Sequence, residues 1–260
     1  MSDLAGDGEK SPQTKIALRA RLLTARRSLA LAAHAAAAAA IQDQTLSLVR
    51  RTRPHTIAAY VPIGSEPGGP DLPALLASAL PAGGQLLLPV LLPDGDLDWA
   101  VFTPLSTGSP LSGAASPSSE VVSPILGSPP PAAAAPSSPS PSSSLSGTSP
   151  APPPSGLAGG PRGLLEPTGR RLGVDAIREA DLVLVPALAV GRDGIRMGRG
   201  GGSYDRVLAR LPQPGPLVVA LLHDGEDVDS VPAEPHDRPV HAVITPTRGF
   251  SLRPGPEWTN

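Results

Sequence analysis

The segment from Asp181 to Leu211, DLVLVPALAVGRDGIRMGRGGGSYDRVLARL, constrains the fold more than any other part of the chain. It opens on an apolar run, Leu182 to Val185, suited to a buried strand, and closes on an amphipathic run, Tyr204 to Leu211, suited to a helix. Between them lies Gly198-Arg199-Gly200-Gly201-Gly202-Ser203. Glycines at a strand-to-helix turn let backbone N–H groups close on an anion. The positive end of the following helix points at the same place, and Arg196 and Arg199 add charge. The segment has the makings of a polyphosphate cradle. It lacks the Lys-Ser/Thr pair of a Walker A loop and the acidic residue expected after a dinucleotide-binding turn. One GRGGG without interleaved aromatics is a poor RNA contact, and a plain turn does not need three glycines flanked by arginines.

Around this segment apolar runs alternate with helical patterns. Strands are expected at 56–61, 85–89, 97–102, 182–185, 217–222 and 242–245. The stretch from Thr14 to about Arg51 is helical, with Thr14 as cap. Ile16, Leu22, Leu23 and Leu29 form its apolar stripe, with Lys15, Arg19, Arg26 and Arg27 off it. The alanine run Ala35 to Ala40 favours helix strongly, and a second helix is expected through Ile41, Leu46, Leu48 and Val49. Leu72 to Leu80 is a helix opened by Asp71 and Pro73, and Ile177 to Ala180 ends a short one. Strands alternating with helices, several apolar throughout, imply an α/β fold: three α/β/α layers around a mostly parallel, Rossmann-like sheet.

Composition narrows the rest. From about 104 to 162 Pro, Ser, Ala and Gly dominate, a block unable to bury enough apolar surface to offset ordering entropy. It is expected to be a disordered insertion within one domain of residues 14–250, with tails at 1–13 and 251–260. The formal net charge of −2 gives no global field for nucleic acid or anionic membrane. With no cysteine, disulfides, thiolate catalysis and Cys-ligated zinc are excluded. No apolar run is long enough to span a bilayer, and no signal core opens the chain, so the cytoplasm is the default location and a monomer the default state. Asp205, in the first turn of the helix, suits either the dipole or a Mg2+ ion riding on nucleotide phosphates. Asp237 is a second such carboxylate, with Asp224 and Asp227 as competitors.

These residues resemble the 5-formyltetrahydrofolate cyclo-ligase family. In that family a strand ending in Val-Pro-Gly leads into Gly-x-Arg-Leu-Gly-x-Gly-x-Gly-Tyr-Tyr-Asp, and VPALAVGRDGIRMGRGGGSYDRVLARL looks like it. Lys15-Ile16-Ala17-Leu18-Arg19 resembles its N-terminal Lys-x-x-x-Arg, and Tyr60-Val61-Pro62 with Glu66 its folate-facing strand end. Leu165-Glu166-Pro167 resembles its Glu-Pro. Val231-Pro232 through His236-Asp237, and then Val243-Ile244-Thr245, resemble its C-terminal segment. Departures are Ser203 for the first tyrosine of Tyr-Tyr-Asp, Val190 for a phenylalanine, Pro67 for a β-branched residue, and the insertion itself.

The resemblance implies a fold related to the sugar-phosphate isomerase/CoA-transferase type. It also implies an ATP- and Mg2+-dependent conversion of 5-formyltetrahydrofolate to 5,10-methenyltetrahydrofolate. Lys15, Arg199 and Tyr204 would then be catalytic. ATP would be held by Lys15, Arg19, Arg196, Met197, Gly198, Arg199, Gly200, Gly201, Gly202, Ser203 and Tyr204. Val61, Glu66 and Tyr204 would meet the folate, and Asp205 and Asp237 the metal. Without the resemblance, Lys15 and Arg19 would be a solvated helix face, Glu66 an exposed turn residue and Tyr204 a core contact. Arg196 would pair with Asp193, and His236 would be the one histidine near the site. Two other functions fit the cradle: a sugar-phosphate isomerase or transferase working without ATP, and a non-catalytic nucleotide-binding scaffold.

Overall fold

The computed structural model describes residues 12–104, 156–234 and 237–254. Most of the proline-rich block, both extreme tails and His236 lie outside these residues. Two helices, α1 (Pro12–Ser28) and α2 (Leu31–Thr52), lead into strand β1 (Thr56–Ala58) and helix α3 (Leu72–Ala79). Strands β2 (Gln85–Leu91) and β3 (Leu97–Val101) follow. After the undescribed stretch come β4 (Leu157–Gly159) and β5 (Leu165–Pro167), and a 3-10 turn at Val174–Glu179. Then come β6 (Leu182–Pro186), the short pair β7 (Ala189–Val190) and β8 (Arg196–Met197), and α4 (Ser203–Ala209). Strands β9 (Leu217–Leu221), β10 (Ala242–Thr245) and β11 (Gly249–Leu252) complete the order.

The main sheet runs β11-β10-β9-β6-β1-β2-β3. The five inner strands are parallel neighbours, and antiparallel β3 and β11 close its edges. Apolar side chains alternate between two faces, as period-2 geometry requires. Ile57, Leu86, Leu88, Leu182, Leu184 and Ile244 pack with α2 and α3. Leu87, Val183, Val185, Ala220 and Val243 pack instead with Val207 and Leu208 of α4 and Ile177 of the 3-10 turn. Burying each Leu or Val contributes about 1.5–3 kcal/mol, and burial on both faces explains why the inner strands are apolar throughout. No described helix is long and apolar enough to cross a membrane.

Several expectations shift. The helix at 31–52 is continuous, so the alanine run and the segment after it are one element. Helix α1 begins at Pro12, which places Thr14 inside it rather than at its cap. Asp71 makes no side-chain cap hydrogen bond to α3. Leu157–Gly159, expected within the insertion, forms a hairpin with Leu165–Pro167. Its composition hides this, because Leu157 is its one large apolar residue and is buried. Likewise β11 runs past residue 250 into the expected C-terminal tail. A four-residue edge strand carries too short a pattern to stand out, and its entry is set by Gly249 at φ 68°.

The largest change concerns α1. Its buried face takes only part of the apolar stripe: Leu22 and Leu23 pack inward, Ile16 is 62% exposed and Leu29, beyond the helix end, 40%, whereas Arg26 is 3% exposed. Leu22 packs with Leu188, Ala189, Met197 and Val231, beside the β7–β8 ribbon. Lys15, Arg19, Leu22 and Arg26 follow helical spacing and share that face.

Candidate active site

Strand order reverses between the parallel neighbours β1 and β6: β2 and β3 build outward on one side, β9 and β10 on the other. In open α/β sheets such a switch point opens a crevice at the carboxyl ends of the strands, where ligands bind. A cavity of ≈590 Å³ lies there, within the size range of small-molecule sites. The loops after β1, β6 and β9 feed it with Glu66, the glycine segment and Glu234 with Asp237, and α1 supplies Lys15, Arg19 and Arg26.

The glycine segment lies between β8 and α4 and carries Gly198, Arg199, Gly200, Gly201 and Gly202 along the cavity. Gly200 at φ +102° and Gly202 at φ +67° adopt backbone that L side chains rarely take, which explains glycine at both. Arg19 donates from Nε to the Gly198 carbonyl at 3.1 Å and so ties α1 to the loop. Arg196 is buried, donates to Asp205 at 2.7 Å and to the Pro186 carbonyl at 3.3 Å, and lies over the Tyr204 ring at 5.8 Å. Its expected partner Asp193 instead accepts the Ile195 N–H. Ser203, at the position of the family's tyrosine, donates to the Gly95 carbonyl at 2.5 Å and so fastens the start of α4 to the β2–β3 turn.

Lys15 is not on a solvated face. Its side chain is 13% exposed and its Nζ stands 3.0 Å from Asp237 and 3.4 Å from Glu234. Glu66 is buried, accepts the Ile63 N–H at 3.1 Å and sits 3.3 Å from Arg199 Nε, joining the β1 loop to the glycine loop. Burial raises its carboxyl above the usual carboxylate range, against the opposing pull of the Arg199 guanidinium and the Ile63 N–H. Burial and then the Glu66 charge raise the Tyr204 phenol, so it stays a neutral donor at any working pH. Two expected residues are displaced. Val61 and Met197 are buried in apolar clusters and are not part of the cavity wall. Asp224, bonded to Thr247, and Asp227, paired with Arg248 and Arg253, are not part of the cavity wall, so neither competes for a metal there.

A sequence model described as the 5-formyltetrahydrofolate cyclo-ligase family matches residues 11–126 and 134–246. Over 245 residues the chain is 35% identical to the 5-formyltetrahydrofolate cyclo-ligase of Mycolicibacterium smegmatis, covering 92% of this chain and 97% of that protein. The chain belongs to the 5-formyltetrahydrofolate cyclo-ligase family. Two solved structures share the cyclo-ligase fold. The 5,10-methenyltetrahydrofolate synthetase of Aquifex aeolicus superposes with a TM-score of 0.60 at 22% identity, over 95% of this chain and 96% of that one. That of Mycoplasma pneumoniae gives 0.54 at 15% identity, over 88% and 96%.

Within this cyclo-ligase scaffold the cavity holds residues that sequence reasoning passed over. Arg26 forms a buried bidentate pair with Glu226, at 2.6 and 2.8 Å, and also donates to the Ala187 carbonyl at 2.5 Å. Its helical spacing from Lys15 and Arg19 was the available signal. Leu91 and Leu97 of the sheet, with Arg162 and Leu164 of the β4–β5 turn, form another part of the wall. The hairpin is held to the sheet by Glu166, which accepts the Leu91 N–H at 2.9 Å. Glu166 belongs to the Glu-Pro of the resemblance, whereas Arg162 ends the proline-rich block, whose composition gives no sign of a wall residue.

Proposed function

We propose that this chain catalyses ATP-dependent ring closure of 5-formyltetrahydrofolate to 5,10-methenyltetrahydrofolate, releasing ADP and phosphate. The observation that carries the proposal is the meeting, in one cavity, of a glycine loop, Lys15, Arg19, Arg196 and Arg199 with buried Glu66 and half-buried Tyr204. An amide oxygen is a poor leaving group, so closure requires its phosphorylation. The formyl oxygen attacks the γ-phosphorus and the bond to ADP breaks. N10 then attacks the resulting iminium carbon, the C–O bond to phosphate breaks, and the N10 proton is lost. Phosphoryl transfer depends chiefly on positioning and charge neutralisation. Lys15, Arg19, Arg196, Arg199 and the loop N–H groups are assigned both tasks. Lys15 and Arg199 are the cations assigned to the transferred group, and Tyr204 the neutral donor beside it. Glu66 is assigned the N–H groups of the pterin, where a carboxylate accepts charge-assisted bonds.

Asp205 and Asp237 both line the cavity. Hard oxygen donors of this kind fit Mg2+, which takes one or two carboxylates and completes its shell with phosphates and water. When bound, Mg2+ would neutralise charge on the β- and γ-phosphates. The relation of the fold to the sugar-phosphate isomerase/CoA-transferase type is part of the same proposal. It accounts for a phosphate-holding loop at this switch point.

Near-UV absorbance of the conjugated methenyl product provides the test, with protein, Mg2+ and 5-formyltetrahydrofolate mixed with and without ATP. ATP-dependent growth of the band, lost in Asp205→Ala, is the expected result. No band at high enzyme, with folate binding verified separately, overturns the proposal. Turnover of a sugar phosphate without ATP would favour the isomerase reading instead.

A further inference from the structure

Arg162 stands out on three counts. It lies on the turn between β4 and β5 with φ 57° and ψ 24°, left-handed backbone that a non-glycine residue rarely holds. Strained backbone of this kind persists where the surroundings fix it, and it gathers at ligand contacts. Arg162 also lines the cavity yet is exposed, which places it at the opening. Among the described residues it has no ion-pair partner, unlike Lys15, Arg196 and Arg199, and no side-chain hydrogen bond such as Arg19 makes to Gly198.

Its neighbours indicate what it faces. The phosphate-side cations come from α1 and the glycine segment, and Arg162 comes from a separate hairpin. That hairpin adds Leu164 to a wall continued by Leu91 and Leu97 of the sheet. An apolar wall with one guanidinium at its outer edge suits a flat aromatic group ending in an anion. On the cyclo-ligase reading, buried Glu66 takes the pterin, so the remainder of the folate extends toward the opening. That remainder is an aminobenzoyl ring followed by a glutamate with two carboxylates.

We propose that Arg162 binds the glutamate carboxylates of the folate substrate and sets the preference for a glutamylated ligand. The proposal rests on the cyclo-ligase reading for the identity of the ligand. The guanidinium fork matches a carboxylate in a bidentate geometry that an ammonium lacks.

The test compares wild type, Arg162→Gly and Arg162→Lys on two substrates: 5-formyltetrahydrofolate and its analogue ending at the aminobenzoate, without glutamate. Arg162→Gly removes the charge and relieves the backbone at once. Its KM for the full substrate is expected to rise about tenfold, the scale of one charge-assisted contact. KM for the truncated analogue and for ATP stay within about twofold, and the unfolding temperature does not fall. Arg162→Lys keeps the charge without the fork and gives an intermediate KM. Equal loss on both folates, a loss on ATP or no loss at all overturns the proposal. A wild type that closes neither folate refutes the cyclo-ligase reading instead, and equilibrium titration of the two folates then decides the role of Arg162 without turnover.

Discussion

Replacing Arg26 by Met tests how α1 is held. The side chains of Arg26 and Glu226 are 2% and 5% exposed. Arg26 donates twice to Glu226 and once to the Ala187 carbonyl. Methionine fills similar volume but leaves the Glu226 carboxyl in the interior without its cation, with only the backbone His223 N–H, at 2.8 Å, still donated to it. Breaking one side of a buried pair costs about 3–5 kcal/mol, most of it the stranded charge. For a domain of this size each kcal/mol moves the melting point by about 2–4 °C, so a fall of about 6–20 °C is expected. If stranded charge is the cause, adding Glu226→Leu to Arg26→Met restores most of the loss, because a buried pair and an apolar replacement are often near balance. Urea unfolding followed by circular dichroism, run as a double-mutant cycle, measures all four forms. A loss below about 1 kcal/mol in the single variant, or a double variant no more stable than Arg26→Met, refutes the reasoning.

Gly202→Ala, at φ +67° with no steric contact closer than 3.5 Å, is expected to lose about 1–2 kcal/mol from backbone alone and to weaken ATP binding; Gly201→Ala, without positive φ, is its neutral control in urea unfolding. The raised Glu66 carboxyl takes up its proton at a higher pH than an ordinary carboxylate. KM for the folate should therefore rise on acidification before an ordinary carboxylate, at about 4.3, would titrate. Glu66→Gln should flatten that profile at a higher KM throughout. The sign for stability is the opposite of a paired carboxylate's: protonated Glu66 is the favoured buried form, so its contribution is full at low pH and is lost as pH rises through the raised value. Burial lowers His241 to about 4. A depressed histidine contributes stability that is full above about 6.5 and lost as pH falls toward the folded value. With the group partly solvated, that loss is of order 1 kcal/mol, read as the pH dependence of urea midpoints and removed in His241→Gln.

The inner strands were legible because burial on both faces leaves runs such as Leu182 to Val185 that no other element explains as simply. The glycine loop was legible because Gly200 and Gly202 hold backbone that other residues resist. Helix α1 was misread on which face it buries. The apolar-stripe rule assumes that the buried face meets only a core, and here it meets both a small apolar cluster at Leu22 and a cavity lined with charge. Arg26 is buried because Glu226 balances it, and Glu226 lies 200 residues away, beyond any local pattern. The hairpin at Leu157 and the strand at Gly249 are short and owe their pairing to neighbours, so propensity could not place them. Glu66 looked exposed from its Gly/Pro surroundings, and Arg199 is what makes its burial tolerable.

The links that complete the cavity span most of the chain's length. Lys15 reaches Asp237 across 222 positions, Arg26 reaches Glu226 across 200, and Arg19 reaches Gly198 across 179. Long-range links of this kind form late, because the loop they close must be ordered first. During synthesis the N-terminal helix emerges well before the partners of its buried face exist, and must wait with a row of cations uncovered. A nascent or truncated chain ending before residue 226 has Leu188, Met197 and Gly198 for α1 to rest on, but lacks the carboxylates that balance Arg26 and Lys15. On the proposed function, competence to bind nucleotide would report that residues 226–237 have docked against α1.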